Sequence, residues 1–170
     1  MTHFYMACLN VEGRRCVVVG DGAMADEKAA GLEACGAAVV RVPPGKYRRR
    51  LLKDAFLVMA ATDDAALNER IFRDAERRGL LCNVADVPHL CNFILPAVHR
   101  EGSIAVAVST GGASPALAKR LRERIAEIVR PEHARLAEEL RALRPWVKER
   151  FQSYEERRDY FEEIVRERLS

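Results

Sequence analysis

The apolar positions of this chain come in short bursts separated by polar, helix-patterned stretches. Cys16-Val17-Val18-Val19, the run 37–42, Leu57-Val58-Met59-Ala60-Ala61 and Leu80-Leu81-Cys82 are continuous apolar runs of strand length, as expected of strands buried on both faces. Between them, 23–35 reads as a helix stopped by Gly36. A second helix follows the capping residues Thr62-Asp63-Asp64, carries Leu67, Ile71, Phe72 and Ala75 on one stripe, and ends at Gly79. Buried strands alternating with helices predict an α/β fold with a Rossmann-like parallel sheet. The twelve residues 45–56 are barely enough for a helical crossover, and a short apolar piece at 4–10 is expected to add a strand.

After Phe93 the rhythm changes. The apolar runs 93–99 and 103–109, joined by Arg100-Glu101-Gly102, predict a β-hairpin. Ser114 caps a helix with Pro115 at its first position, running to about Arg130 with Leu117, Leu121, Ile125 and Ile128 on one face. From Pro131 the chain reads as helical: 132–143, a break at Pro145, then Ser153-Tyr154-Glu155-Glu156 as a capping box into a last helix. Trp146, Phe151, Tyr154, Tyr160 and Phe161 read as packing residues. Three regions are therefore expected, a nucleotide-binding domain at 1–92, a dimerisation module at 93–130 and a helical region at 131–170. A hairpin and one helix cannot bury both faces of a sheet, so a homodimer is expected.

With 170 residues, 49% apolar and 31% charged, the chain can build a core and is not disordered. A net charge of +3 gives no argument for nucleic acid. No run of about 18 apolar residues exists to span a membrane, and the N-terminus has no basic leader before an apolar core, so no signal peptide is expected. Five cysteines, an odd number without CxxC spacing, point to reduced thiols in the cytoplasm rather than to a metal cluster.

Two stretches carry chemistry. Gly20-Asp21-Gly22-Ala23-Met24-Ala25 is G-x-G-x-x-A, placed after a strand and opening a helix as a dinucleotide fingerprint requires. Gly20 permits the tight turn, Gly22 lets backbone approach a pyrophosphate, and Ala25 lets the helix pack on the sheet. Asp21 is a complication, since a carboxylate repels phosphates. Strand two ends in Val42-Pro43-Pro44-Gly45 without the acid that holds ribose hydroxyls in NAD sites. Arg41 is read as a 2′-phosphate contact or as a solvated face residue. The second stretch is Leu80 to Phe93, LLCNVADVPHLCNF. Pro88 forbids continuation of a central strand, which leaves Asp86 at the carboxyl end of a strand, where ligands sit in open α/β sheets. Asp86 is read as a catalytic carboxylate or as a turn residue bonding its own backbone. His89 and His99 are read as structural or substrate-facing, since ten residues apart is no ligand motif.

Four blocks, VVVGDGAMADEKAAGL, LVMAATDDAALN, NVADVPHLCNFILPA and IAVAVSTGGASPALAKRLR, resemble in order the dehydrogenase/ferrochelatase module of the siroheme synthase family. The resemblance implies a Rossmann domain, a dimerisation module and a helical end, with a cleft shared between subunits. It implies NAD⁺ taking a hydride from precorrin-2 to give sirohydrochlorin, and in some members insertion of Fe²⁺ or Co²⁺. The family's functional aspartate falls on Asp86. Its cofactor contacts fall on Gly20, Gly22, Ala23 and Met24, on Pro43 and Pro44, and on Ala61, Thr62 and Asp63. No methyltransferase region follows, so the free-standing form is expected.

A substrate rich in carboxylates calls for cations, and Arg100, Lys119 and Arg120 are candidates. Thr110 and Gly111, with Gly112, are candidates for binding those carboxylates through backbone N–H groups. Two departures from the family matter. The segment 45–56 is short, so the sheet is expected to lose an edge strand, and Asp21 stands where a small or neutral residue is common. Three readings follow: an NAD-dependent dehydrogenase, a chelatase without nucleotide, and a tetrapyrrole carrier without turnover.

Overall fold

Valine-rich β1 (Arg15–Val19) is the centre of a four-stranded parallel sheet. Its neighbours are β2 (Ala38–Val42) on one side and β3 (Leu57–Ala60) on the other, with β4 (Leu81–Val84) beyond β3. Helix α1 (Ala23–Glu33) links β1 to β2, and α2 (Ala65–Glu76) links β3 to β4. Val17, Val19, Val58, Cys82 and Ile71 are fully buried in one cluster. Cys16, Val18, Leu57, Met59 and Ala29 are buried in the other. Alternation along a strand sends successive side chains to opposite faces, so the sheet feeds both clusters at once.

This computed structural model describes residues 4–169 and divides the chain into two compact units, Met1–Leu95 and Pro96–Ser170. The first unit corrects one expectation. Residues 4–10 form no strand; Tyr5, Met6 and Leu9 lie exposed, and an apolar piece without a pairing edge gains nothing from extension. The 45–56 connection is no α-helix but two 3-10 turns, Pro44–Lys46 and Arg49–Leu52. Buried Tyr47 holds it, donating its hydroxyl to Asp74 of α2 at 3.1 Å. Asp74 is itself buried and ringed by Arg49, Arg70 and Arg77 at 3.7–4.0 Å. Burial, then the Asp74 charge, pushes the Tyr47 hydroxyl well above its ordinary pKa, so it stays a donor. The sheet has four strands, with β2 at the edge.

In the second unit β5 (Ala97–Glu101) and β6 (Ile104–Val108) form an antiparallel hairpin. Its two-residue turn starts at Gly102, at φ +55. A side chain there would meet the Ala134 methyl at 2.8 Å. Helices α3 (Pro115–Ile128), α4 (Pro131–Arg150) and α5 (Tyr154–Leu169) follow. The Ser153–Glu156 capping box forms in both directions, at 3.0 and 3.1 Å. The expected break at Pro145 does not occur, and α4 runs through it. Leu136 and Val147 are buried on either side of the proline, and Trp146 packs on Phe151 and Tyr160 at 6.3 and 5.8 Å. That packing outweighs one lost backbone bond, which in isolation would end a helix. No helix among the described residues is long and apolar enough to cross a membrane.

Candidate functional site

The register places the last residues of the four strands level. Val19 stands opposite both Val42 and Ala60, and Ala60 opposite Val84. The loops at Gly20, Pro43, Ala61 and Ala85 therefore leave from one edge. They stay in step by backbone bonds, Gly20 N–H to Val42 O at 3.0 Å, Ala61 N–H to Val19 O at 2.8 Å and Ala85 N–H to Ala60 O at 2.8 Å. From β1 the chain goes first to one side of the sheet and later to the other, which makes this edge a topological switch point.

Gly20 adopts φ +151, and a Cβ there would lie 2.2 Å from Ala61 O and 2.8 Å from the Ala25 methyl. The loop closes because residue 20 has no side chain and residue 25 has a small one. Gly22 is the N-cap of α1 and makes no side-chain cap, and the space its Cβ would enter is open. The first N–H groups of a helix lack intrahelical partners, so the α1 terminus presents donors beside an open cradle. These features fit a dinucleotide diphosphate. Ala23 and half-exposed Met24 lie in the first turn of α1. Asp21 is exposed in the same loop.

At the neighbouring strand end Val42 is buried, and Pro43 and Pro44 enter the first 3-10 turn. Arg41 is turned to α1, where its guanidinium pairs with Asp26 at 2.7 Å and Glu33 at 3.2 Å. It is a surface bridge, the second of the two sequence readings. On the β3 side, Thr62 Oγ1 lies 2.8 Å from Asn68 Oδ1, and Asn68 Nδ2 donates to Thr62 O at 2.8 Å. Asn68 is buried in α2 and fixes the Ala61-Thr62-Asp63 loop. Asp64, not Asp63, caps the helix, accepting from Leu67 N–H at 3.0 Å. Asp63 is exposed.

Asp86 follows β4 at φ +59, one of two described non-glycine residues in the left-handed region. It is exposed, and among the described residues its carboxylate has no hydrogen-bonding or ionic partner. The backbone-capping alternative requires such a bond and finds none. The turn is held from behind instead. Cys91 Sγ accepts from Val84 N–H at 3.2 Å, and its proton faces Val84 O at 3.2 Å and Val87 O at 3.3 Å. Burial raises the Cys91 pKa, so the thiol remains a donor. Asn92 behaves as a neighbouring strand would. Its N–H donates to Cys82 O at 3.1 Å and its Oδ1 accepts from Cys82 N–H at 2.7 Å. Asn83 Nδ2 donates to Phe93 O at 3.1 Å. Sequence reading passed over Asn68, Cys91 and Asn92; the one visible signal was Asn83, a polar residue inside an apolar run.

Arg100 lies on the outward face of the hairpin, opposite in alternation to His99, whose Nε2 is 3.3 Å from Val129 O. Lys119 and Arg120 are exposed on α3, with Arg120 3.6 Å from Glu123. Thr110 Oγ1 accepts from Ser114 N–H at 3.0 Å and lies 3.1 Å from Ser114 O. Gly111 N–H donates to Ser109 Oγ at 3.2 Å. These groups already have partners within their own turn.

The family model described as putative NAD(P)-binding matches residues 7–97, and the one described as sirohaem biosynthesis protein central matches 101–128. A siroheme synthase of Nitrosococcus oceani is 36% identical over 92% of this chain and 38% of its own length. Siroheme synthase 2 of Cronobacter sakazakii is 36% identical over 100% of this chain and 41% of its own. The chain thus spans about two fifths of the length of these curated relatives. Among solved structures, SirC, a precorrin-2 dehydrogenase, superposes with a TM-score of 0.79 at 27% identity, covering 98% of this chain and 93% of SirC. With the glycine cradle, the level strand ends and more than half its length matched, this chain belongs to the putative NAD(P)-binding family.

Proposed function

We propose that this protein oxidises precorrin-2 to sirohydrochlorin with NAD⁺. The observation that carries the reading is Asp86, an exposed and unpartnered carboxylate on a braced turn at the same sheet edge as the glycine cradle. The likeness to SirC and to siroheme synthases supports the substrate. Gly20, Gly22, Ala23 and Met24 would hold the diphosphate, with Pro43, Pro44, Ala61, Thr62 and Asp63 around the rest of the cofactor. NAD⁺ supplies a hydride acceptor when bound. Asp86 would take the proton that precorrin-2 gives up along with the hydride and return it to solvent, so the balance would be sirohydrochlorin, NADH and H⁺. Arg100, Thr110, Gly111, Lys119 and Arg120 are proposed to meet the substrate's carboxylates, Thr110 and Gly111 only after giving up their present bonds.

The same carboxylate is suited to taking pyrrole N–H protons while Fe²⁺ or Co²⁺ enters sirohydrochlorin. Exposed Asp21 in the phosphate loop favours this as a second reading, a chelatase with a weakened nucleotide site. We assign residues 1–92 to the nucleotide domain, 93–130 to dimerisation and 131–170 to the helical region. The exposed apolar residues Val98, Leu117, Leu121 and Ile128 support a homodimer. Five free cysteines support a cytoplasmic location. Purified protein given precorrin-2 and NAD⁺ should form NADH and sirohydrochlorin in equal amounts. Asp86→Ala should lower kcat by about 10²–10⁴-fold while NAD⁺ still binds. Full turnover by that variant removes Asp86 as the base, and metal insertion without any NADH removes the dehydrogenase reading.

A further inference from the structure

Helices α4 and α5 carry nine lysines and arginines and ten acidic residues between them, a nearly balanced set. The groove they form does not share that balance. It has a volume of about 840 Å³ and takes five of the cations, Arg144, Lys148, Arg157, Arg158 and Arg166, but only one acid, Glu162. Val147 and Phe161 give it an apolar floor, and Tyr154, 73% exposed, stands at its side. Arg157 is tied to Phe151 O at 3.1 Å, and Arg158 to Asp159 and Glu162 at 2.6 and 3.7 Å, so part of the rim is set in place. Solvated helix faces ordinarily intersperse the two signs. A cleft lined by one sign over an apolar floor concentrates anions that also carry apolar surface.

We propose that this groove is a binding site for a flat macrocycle bearing carboxylates around its rim. It would be a holding site for tetrapyrrole built by the second unit alone. The volume lies within the range of about 300–1,000 Å³ typical of ligand pockets. Arg144, Lys148 and Arg157 meet the rim carboxylates, the floor and Tyr154 meet the ring, and Arg forks suit carboxylates in pairs. The assignment of a tetrapyrrole rests on the dehydrogenase reading; the sorting of charge does not.

The test uses the whole chain and its single tryptophan. The Trp146 ring lies against Tyr160, which neighbours Phe161 of the floor, so a porphyrin in the groove should quench its fluorescence. Uroporphyrin III, carboxylated all round its rim, is titrated into three proteins. These are the wild type, Arg144→Glu with Lys148→Glu, and the charge-keeping Arg144→Lys with Lys148→Arg. Saturable quenching should weaken by about tenfold or more in the reversed variant and return in the charge-keeping one. Precorrin-2 turnover at saturating substrate should be the same in all three. Equal binding by the reversed variant overturns the proposal, as does equal displacement of porphyrin by poly-glutamate, which would mark an acidic-peptide site. Charge-dependent porphyrin binding by a protein that makes no NADH leaves the groove in place and removes the dehydrogenase reading alone.

Discussion

Among the described residues, the first unit buries twenty apolar residues, in two clusters on the faces of one sheet, whereas the second buries four, Ala118, Ala134, Leu136 and Val147. The first also bends its chain to shape a site, with Gly20, Gly22 and Asp86 at one edge. The second leaves Val98, Leu117, Leu121 and Ile128 exposed and gathers Trp146, Phe151, Tyr160 and Phe161 into one ring group. A helical face patterned for burial yet left open is unfinished as a monomer. The first unit contains its own reasons for folding, whereas the second has an open apolar face that the proposed second copy would cover.

The largest effect that would break this contrast lies in the glycine loop. Gly20→Ala should destabilise the protein by about 3 kcal/mol in urea unfolding, because its methyl would press on Ala61 O and the Ala25 methyl. A small change would mean that the loop can relax and that the tight cradle is not required. Next comes the open face. Val98→Glu puts a charge on the outward side of the hairpin. Sedimentation should show dimers dissociating at least about tenfold more readily, with the first unit's helix signal intact. A wild-type protein that sediments as a monomer at all concentrations refutes the partner explanation outright.

Cys91→Ala is expected to be milder, about 1–2 kcal/mol, since Val84 N–H would lose its acceptor behind the Asp86 turn. Its sharper signature is kinetic. kcat should fall, KM for NAD⁺ should not move, and Cys91→Ser should recover part of the loss. The thiols also set an alkaline limit. Burial pushes Cys82 up to about 12 and raises Cys91. An acid whose folded pKa is raised stabilises the fold below its free value, about 8.5, and loses that stabilisation as pH climbs towards the folded value. Stability should therefore decline above about pH 8.5, and Cys82→Ala should shorten the decline.

The same contrast explains what could be read in the chain before its structure. The run from β1 through Gly20 to α1, and the capped start of α3, are local. A few adjacent residues state both the element and its end. The α4 helix defeats local reading at Pro145, because the packing of Val147 and the Trp146 group lies outside the proline's neighbourhood. The Tyr47–Asp74 clamp joins residues 27 apart, and Cys82 meets Asn92 across ten. Neither spacing leaves a periodic trace. Asp86 could be found by its strand-end position, but its left-handed turn and the thiol behind it could not.

Asp21 offers the smallest effect and the finest discrimination, since it tests the self-contained unit at its one discordant residue. Two unit charges about 4 Å apart in water interact by about 1 kcal/mol, about fivefold in affinity, and salt reduces this. Asp21 is exposed in the loop where a diphosphate would rest, so Asp21→Asn should tighten NAD⁺ by about two- to fivefold at low salt. The gain should shrink as salt is added, while KM for precorrin-2 stays fixed. A gain that ignores salt would point to loop geometry, not charge. No gain at all would mean that the carboxylate turns away from the diphosphate, and Asp21 would then give no ground for the chelatase alternative.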